Sequence, residues 1–360
     1  MNENEDMKKI LSNKKETDQP IKESDLLSTG STLLNLACTG TAAGGFAKGK
    51  YHFLVGDSAS GKTWLSLTCL AEAAINSNFD GYRFIYDNAE DGALMDIGRF
   101  FGDKVQERLE SPAYEKDVPI HSTTIEEFYY HVDDAAKSGT PFIYILDSMD
   151  SLSSDAEQNK FEETKEAHRK GKATTGTFGD GKAKKNSSNL RKLMPALRKT
   201  NSILIIINQT RDNLGFGFEK KIRSGGHALR FYATLEIWSS IKGKMKKTIR
   251  GKEREIGITT KVQVKKNRFT GRLRVVELPL YHSFGIDDVG SCVDYLVAEK
   301  HWPKTKSTIH ATEIDFTGTR EKVINHIQEN DLEIKISEVV AGVWNQIEKE
   351  CSVDRKSRYS

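Results

Sequence analysis

The chain has 360 residues, 37% hydrophobic and 29% charged, with a formal net charge of +3, the profile of a globular protein with room for one to three domains. No apolar run approaches the roughly 18–20 residues of a membrane helix. Met1 to Asp6 lacks the basic-then-apolar order of a signal peptide, so the expectation is a cytoplasmic protein with no membrane partner.

The four cysteines, Cys38, Cys69, Cys292 and Cys351, form no C-x-x-C pair, which argues against a zinc site and a disulfide framework. Cys38 and Cys69 lie in apolar surroundings and read as small core fillers. Charge is unevenly spread: cations gather in Lys182–Lys185, Lys242–Arg254 and Lys265–Arg268, acids near the N-terminus and around Asp147–Glu163.

Residues 1–26 are polar, with Ile10-Leu11 as the apolar anchors, and read as a disordered stretch or a short helical tether. A turn at Ser28-Thr29-Gly30 precedes a short helix with Leu33, Leu34 and Leu36 inward, then a glycine-rich approach loop, Gly40–Gly49. The strand Tyr51–Val55 breaks into Gly56-Asp57-Ser58-Ala59-Ser60-Gly61-Lys62-Thr63, followed by Trp64 and a helical pattern to Ile75. This spacing makes a phosphate cradle. Two glycines let consecutive N–H groups face phosphate oxygens, Lys62 adds a charge for the β- and γ-phosphates, and the Thr63 hydroxyl is placed to ligate Mg²⁺.

A second strand, Tyr82–Asp87, runs into Asn88-Ala89-Glu90-Asp91, where a carboxylate can polarise water for nucleotide hydrolysis. Glu126–Ala136 is helical, and Pro141–Leu146 is an apolar strand that delivers Asp147 to the metal-bearing edge of a sheet. Residues 153–188 have no sustained apolar period and read as a long mobile segment. Asn189–Lys199 returns to helix despite Pro195, and Ser202–Ile207 is the most strand-like run, ending in Asn208-Gln209-Thr210-Arg211. An amide such as Gln209 at a strand end can sense a γ-phosphate. Alternation of strand and helix from 51 to 210 indicates a parallel, doubly wound α/β sheet.

The loop 212–226 mixes glycines, aromatics and cations, a composition that suits single-stranded nucleic acid, although an ordinary flexible loop has the same composition. After it come His227–Tyr232, a strand Ala233–Ser239, a basic hairpin Lys242–Arg254, and strands Ile258–Val264 and Leu273–Leu280 forming an antiparallel extension. Beyond Asp287 the chain reads as a smaller helical region with helices at Val289–Glu299, Arg320–Glu329 and Ser337–Cys351 and a frayed tail.

From about Leu27 to Trp302 the order of these pieces resembles the RecA-type recombinases, bacterial and phage. The likeness is carried by Ser28-Thr-Gly-Ser31, Gly56–Thr63, Phe142–Ser148, Ile205–Arg211, Gly225-Gly-His-Ala-Leu-Arg-Phe-Tyr-Ala233 and Val262-Gln-Val-Lys-Lys-Asn-Arg268. The resemblance implies an α/β fold: a RecA-like P-loop ATPase core at 27–287 with a mostly parallel central sheet and an antiparallel extension, and a small helical C-terminal subdomain at 288–360. It implies ATP and Mg²⁺, with Gly56 to Trp64 binding nucleotide and Thr63 and Asp147 the metal; Asp57 and Trp64 depart from the usual cradle.

Glu90 resembles the general base, with Asp87 the other candidate, and Gln209 the γ-phosphate sensor. The second DNA loop would include Arg211, Asn213, Phe216, Phe218, Lys220, Lys221, Arg223, Gly225 and Gly226. The segment 153–188 resembles an enlarged first DNA loop. Lys266 and Arg268 match cations that reach a neighbour's nucleotide, and Phe231 with Arg230 an interface. The expected activity is a DNA-dependent ATPase that forms filaments on single-stranded DNA and exchanges strands with double-stranded DNA. A mediator without strand exchange and a ring helicase of related fold are the alternatives.

Overall fold

The structure, a computed structural model, describes residues 21–170, 181–212, 221–223 and 226–355. Most of the N-terminal stretch expected to be a tether lies outside them. Of that stretch, a 3-10 turn at Glu23–Asp25 and β1 (Leu26–Leu27) are described. The helix α1 (Thr32–Thr39) follows, started by the Ser31 hydroxyl accepting from Leu34 N and stopped by Gly40 at φ 80°. The approach loop is not wholly irregular: β2 (Phe46–Ala47) pairs antiparallel with β1.

Then come β3 (Tyr51–Gly56), α2 (Lys62–Ile75) and β4 (Arg83–Asp87). Short elements α3 (Ile97–Phe101), α4 (Asp103–Arg108), β5 (Leu109–Glu110), β6 (Ala113–Glu115) and β7 (Val118–Ile120) lead to α5 (Ile125–Lys137) and β8 (Phe142–Leu146).

Of the segment 153–188 expected to be mobile, residues 171–180 lie outside the described ones, and the described parts are largely helical. Its first part is α6 (Asp155–Arg169), and its end belongs to α7 (Gly181–Thr200). No residue of α6 is buried, so no apolar period could announce it. A capping box between Ser154 and Glu157 and the pairs Lys165–Glu162 and Lys170–Glu166 hold it locally. Pro195 sits inside α7 without ending it.

After α7 run β9 (Ile203–Asp212), β10 (Lys221–Arg223), α8 (His227–Tyr232), β11 (Leu235–Ile249), β12 (Lys252–Asn267), β13 (Val275–Tyr281) and β14 (Gly285–Ile286). The basic hairpin is not a separate turn. It is the solvated far end of the β11–β12 ladder, which continues to Ile249↔Lys252. The C-terminal region holds α9 (Asp288–Ala298), a three-stranded sheet of β15 (Lys304–Thr305), β16 (Thr308–Ala311) and β17 (Phe316–Thr319), then α10 (Arg320–Glu329) and α11 (Glu333–Glu350). The region is mainly helical, as expected, with this small sheet beside its helices. Its strands are two to four residues long, too short for a visible alternation.

The central sheet runs β14-β13-β12-β11-β3-β9-β8-β4-β5, with β10 paired to β9. Pairs from β11 through β3, β9, β8 and β4 to β5 are parallel, and those from β11 to β14 antiparallel. Both faces of the parallel part are covered: Ile203, Ile205 and Ile207 enter one core, Leu204 and Ile206 the other. Cys38 and Cys69 lie in the first of these cores, as core fillers should. All four cysteines are free. Among the described residues no helix is long and apolar enough to cross a membrane.

Candidate active site

The loop after β3 is shaped by close approach to β11. A Cβ built on Gly56 would lie 2.1 Å from Ser239 Oγ, so only glycine lets the chain turn there. The turn is pinned by Ser60 Oγ, which donates to Asp57 O at 2.7 Å and meets Ser239 Oγ at 2.7 Å. Gly61, at φ 85°, opens α2, whose N-terminal N–H groups face the loop.

The buried Lys62 donates from Nζ to Gly56 O (3.0 Å) and Asp57 O (2.7 Å). Burial lowers its pKa, against the opposing charges of Asp147, Glu90, Asp57 and Asp150. Asp57 turns away from the cradle: its carboxylate accepts from Thr210 Oγ1 at 2.5 Å and lies 2.6 Å from Lys221 Nζ. Partial burial pushes its pKa up, but the Lys221 and Thr210 contacts outweigh that and hold it below the usual value. Trp64 points to α3, its ring centred 5.0 Å from Phe100 and 5.2 Å from Phe101.

Thr63 Oγ1 donates to Asp147 Oδ2 at 2.6 Å, and Tyr86 OH donates to the same oxygen at 2.8 Å. A hydroxyl and a carboxylate side by side are the hard oxygen donors that Mg²⁺ takes while keeping several waters, so the residues present fit that ion. The two carboxylates after β4 separate clearly. Asp87 is fully buried, accepting from Ser122 N (2.9 Å), Ser122 Oγ (2.5 Å) and Tyr144 OH (2.7 Å). Glu90 is exposed at the cradle's edge, and its Oε1 accepts from Gln209 Nε2 at 2.6 Å. The Glu90 carboxylate is therefore open to solvent, whereas that of Asp87 is taken up in bonds to Ser122 and Tyr144.

Gln209 N donates to Asp150 Oδ2 at 2.5 Å, and Arg211 Nη2 lies 3.7 Å from Asp150. From there β9 continues into a short antiparallel ladder with β10, Lys221 opposite Asp212, so the loop begins and ends as a hairpin. Of the residues expected to touch DNA, Arg211 is exposed and Lys221 is held by Asp57. Arg223 is placed in β10, and Gly226 caps α8 at φ 80°. Asn213, Phe216, Phe218, Lys220 and Gly225 lie outside the described residues.

Against known families, residues 8–287 match the RecA N-terminal domain. The chain belongs to the RecA family. Its members are ATP- and DNA-binding ATPases of recombination and repair. Similar proteins include Protein RecA of Cytophaga hutchinsonii, 28% identical over 285 residues (77% of this chain, 70% of that one). Protein RecA of Thermus thermophilus is 27% identical over 317 residues (87% and 83%), and that of Rickettsia prowazekii 27% over 337 residues (91% and 88%).

On this RecA core Lys266 and Arg268 stand at the other end of the sheet from the cradle. Ser239 pairs with Gly56, whereas Asn267 pairs with Leu235, which pairs with His52. At about 3.3 Å per residue that is roughly 13 Å along the strands. There Lys266 Nζ donates to Arg230 O (2.5 Å) and Phe231 O (2.8 Å), and Arg268 Nη2 to Phe231 O (2.7 Å). Burial, then the Arg268 charge, lowers the Lys266 pKa to about 8. Phe231 is 64% exposed, and Arg230 pairs with Glu236 at 3.0 Å. Sequence reasoning missed Tyr86, Asp150, Thr210 and Ser239. Each acts through a partner brought near by the sheet, which no local spacing reveals.

Proposed function

We propose that this chain is an ATP-dependent recombinase that forms filaments on single-stranded DNA and promotes homologous pairing and strand exchange with double-stranded DNA. The observation that carries the reading is the separation of two half-sites. Lys62, Thr63, Asp147, Glu90 and Gln209 gather at one end of the sheet, Lys266 and Arg268 at the other. Cations that cannot meet their own cradle can meet that of the next copy, so the active unit is a homo-oligomer with ATP between subunits.

In this reading the cradle N–H groups and Lys62 bind the β- and γ-phosphates, and Thr63 with Asp147 holds Mg²⁺, which neutralises phosphate charge when bound. Glu90 orients the attacking water and accepts its proton. Gln209 changes partner from Glu90 to the γ-phosphate, and the hairpin it opens carries that state to the residues that contact DNA. Nucleotide thereby sets the grip on DNA.

Turnover with and without single-stranded DNA tests the scheme. Lys62→Ala and Arg268→Ala should each be inactive alone, Arg268→Ala by on the order of 10³-fold as for other trans-acting cations. Mixing the two should restore part of the rate. Full-rate hydrolysis by Arg268→Ala alone would refute the shared site. Filaments in negative stain followed by D-loop formation separate a recombinase from a mediator or a ring helicase.

A further inference from the structure

Beside Arg268, at the end of the sheet away from the cradle, lies a cleft of about 560 Å³ whose charged lining is entirely cationic: Lys50, Arg191, Arg198 and Arg268. Among the described residues no carboxylate lines it, and none of these four has an ion pair within 4.0 Å. Their convergence is built into the backbone. Gly49, at φ 70°, lets the last turn of α7 pack so closely that a Cβ there would lie 3.3 Å from Arg198 Cα. Thr234 N donates to Tyr51 O and Arg268 N to Thr234 O, which ties the ends of β3 and β12 together.

Burial lowers the Lys50 pKa, and the Arg198 and Arg268 charges lower it further, so the three cations repel one another. Arg198 has one local reason to be where it is, the favourable field at the end of α7. Lys50 and Arg268, on strand ends, lie in no such field, and Arg268 donates instead to the Phe231 carbonyl. Unbalanced cations facing one cavity, Lys50 among them partly desolvated, are the electrostatic complement of an anion bearing several charges.

We propose that this cleft is a polyphosphate subsite: Lys50 and Arg198 join Arg268 of one protomer in holding phosphate oxygens of the nucleotide seated in the Gly56–Thr63 loop of the next. The proposal rests on the shared-site reading above and extends it to two residues outside the motif that suggested that reading. The exposed Phe231 on the same rim makes the cleft part of the face that meets the neighbour.

The test starts from the full-length chain with its own cradle disabled by Lys62→Ala. Titrated calorimetrically with inorganic tripolyphosphate, this protein should bind. Adding Arg198→Gln or Lys50→Gln should weaken binding on the order of 10- to 100-fold, the loss of one charge-assisted contact. Arg198→Lys should restore most of the affinity, and Lys199→Gln, one residue along and exposed, should change nothing. Thermal melts confirm that each variant is folded.

In turnover assays Arg198→Gln should raise the KM for ATP, and mixing it with Lys62→Ala should recover activity. Unchanged tripolyphosphate affinity and parental KM in Arg198→Gln, with Arg268→Ala still inactive alone and rescued on mixing, would overturn this proposal and leave the shared site standing. A fully active Arg268→Ala would overturn both.

Discussion

Lys266 shows how far one residue's chemistry is set by its neighbours. Its ammonium is drawn under Arg230 and Phe231 carbonyls beside a guanidinium, and burial with the Arg268 charge brings its pKa from 10.5 to about 8. A base whose folded pKa lies below its unfolded one is disfavoured when charged in the fold. Stability therefore rises as pH climbs from about 8 to 10.5, where the unfolded chain binds more protons than the native one. In the trans role proposed above Lys266 needs its charge, so activity should move the other way. We expect kcat/KM for ATP to fall above about pH 8, and Lys266→Arg to remove that alkaline limb, since a guanidinium stays charged throughout. A pH-rate profile of the two proteins with single-stranded DNA decides it.

Asp57 supplies a second test at this scale. Its carboxylate is tolerable near phosphates because Lys221 neutralises it. Lys221→Ala should weaken ATP binding about fivefold, near the 1 kcal/mol of an exposed charge pair, and Asp57→Asn added to it should restore the affinity. A nucleotide titration of both variants would show an unneutralised Asp57 to be harmless if Lys221→Ala bound ATP normally. Because the Asp57 pKa is depressed, its link to Lys221 persists as pH falls until the carboxylate protonates below 3.8.

At the scale of elements, legibility followed burial. Runs such as Ile203–Ile207 are apolar because both faces of a central parallel strand are covered, and β8 and β9 lead into the buried polar residues Asp147 and Asn208 at the edge that carries the cradle. That made β3, β8 and β9 readable, and with them the positions of Lys62, Thr63, Asp147 and Gln209 at their ends. The difference in burial between Glu90 and Asp87 was not readable, since it depends on Ser122 and Tyr144 reaching Asp87 from other elements. The helix α6 was read as loop for the opposite reason: with no buried face it leaves no period in the sequence, only its capping box. Such a helix should depend on its cap. Ser154→Ala should cost it about 1 kcal/mol and raise amide exchange through its first turns, measured by hydrogen exchange, without changing nucleotide affinity. Unaltered exchange would mean that Lys182, which pairs with Glu157 and donates to Leu152 O, holds the end instead.

For the whole molecule, the question is whether residues 288–360 stand apart from the core. We propose that they form a subdomain sharing the core rather than an independent unit. One hydrophobic cluster contains Leu33 and Leu36 of α1, Ile205 of β9, and Cys292, Trp302, Val340 and Trp344 of the C-terminal region. Polar ties cross the same boundary: Thr32 N and Oγ1 donate to Asp288 at 2.7 and 2.8 Å, and Arg274 Nε and Nη2 donate to Glu348 at 2.5 and 2.7 Å. The Glu348 side chain is only 8% exposed, so removing Arg274 strands a carboxylate that Arg272, at 3.0 Å, satisfies in part. Arg274→Ala should destabilise by about 2 kcal/mol, below the full cost of breaking a buried pair because Arg272 remains. If the core is shared, one calorimetric transition should shift downward as a whole; a separate early transition would mean that the C-terminal region unfolds by itself. The pH dependence adds a check on cause. The Arg274 bond holds the Glu348 pKa below 4.5, so the stabilisation is present above that pH and fades as pH falls, and the gap between parent and variant should close in acid.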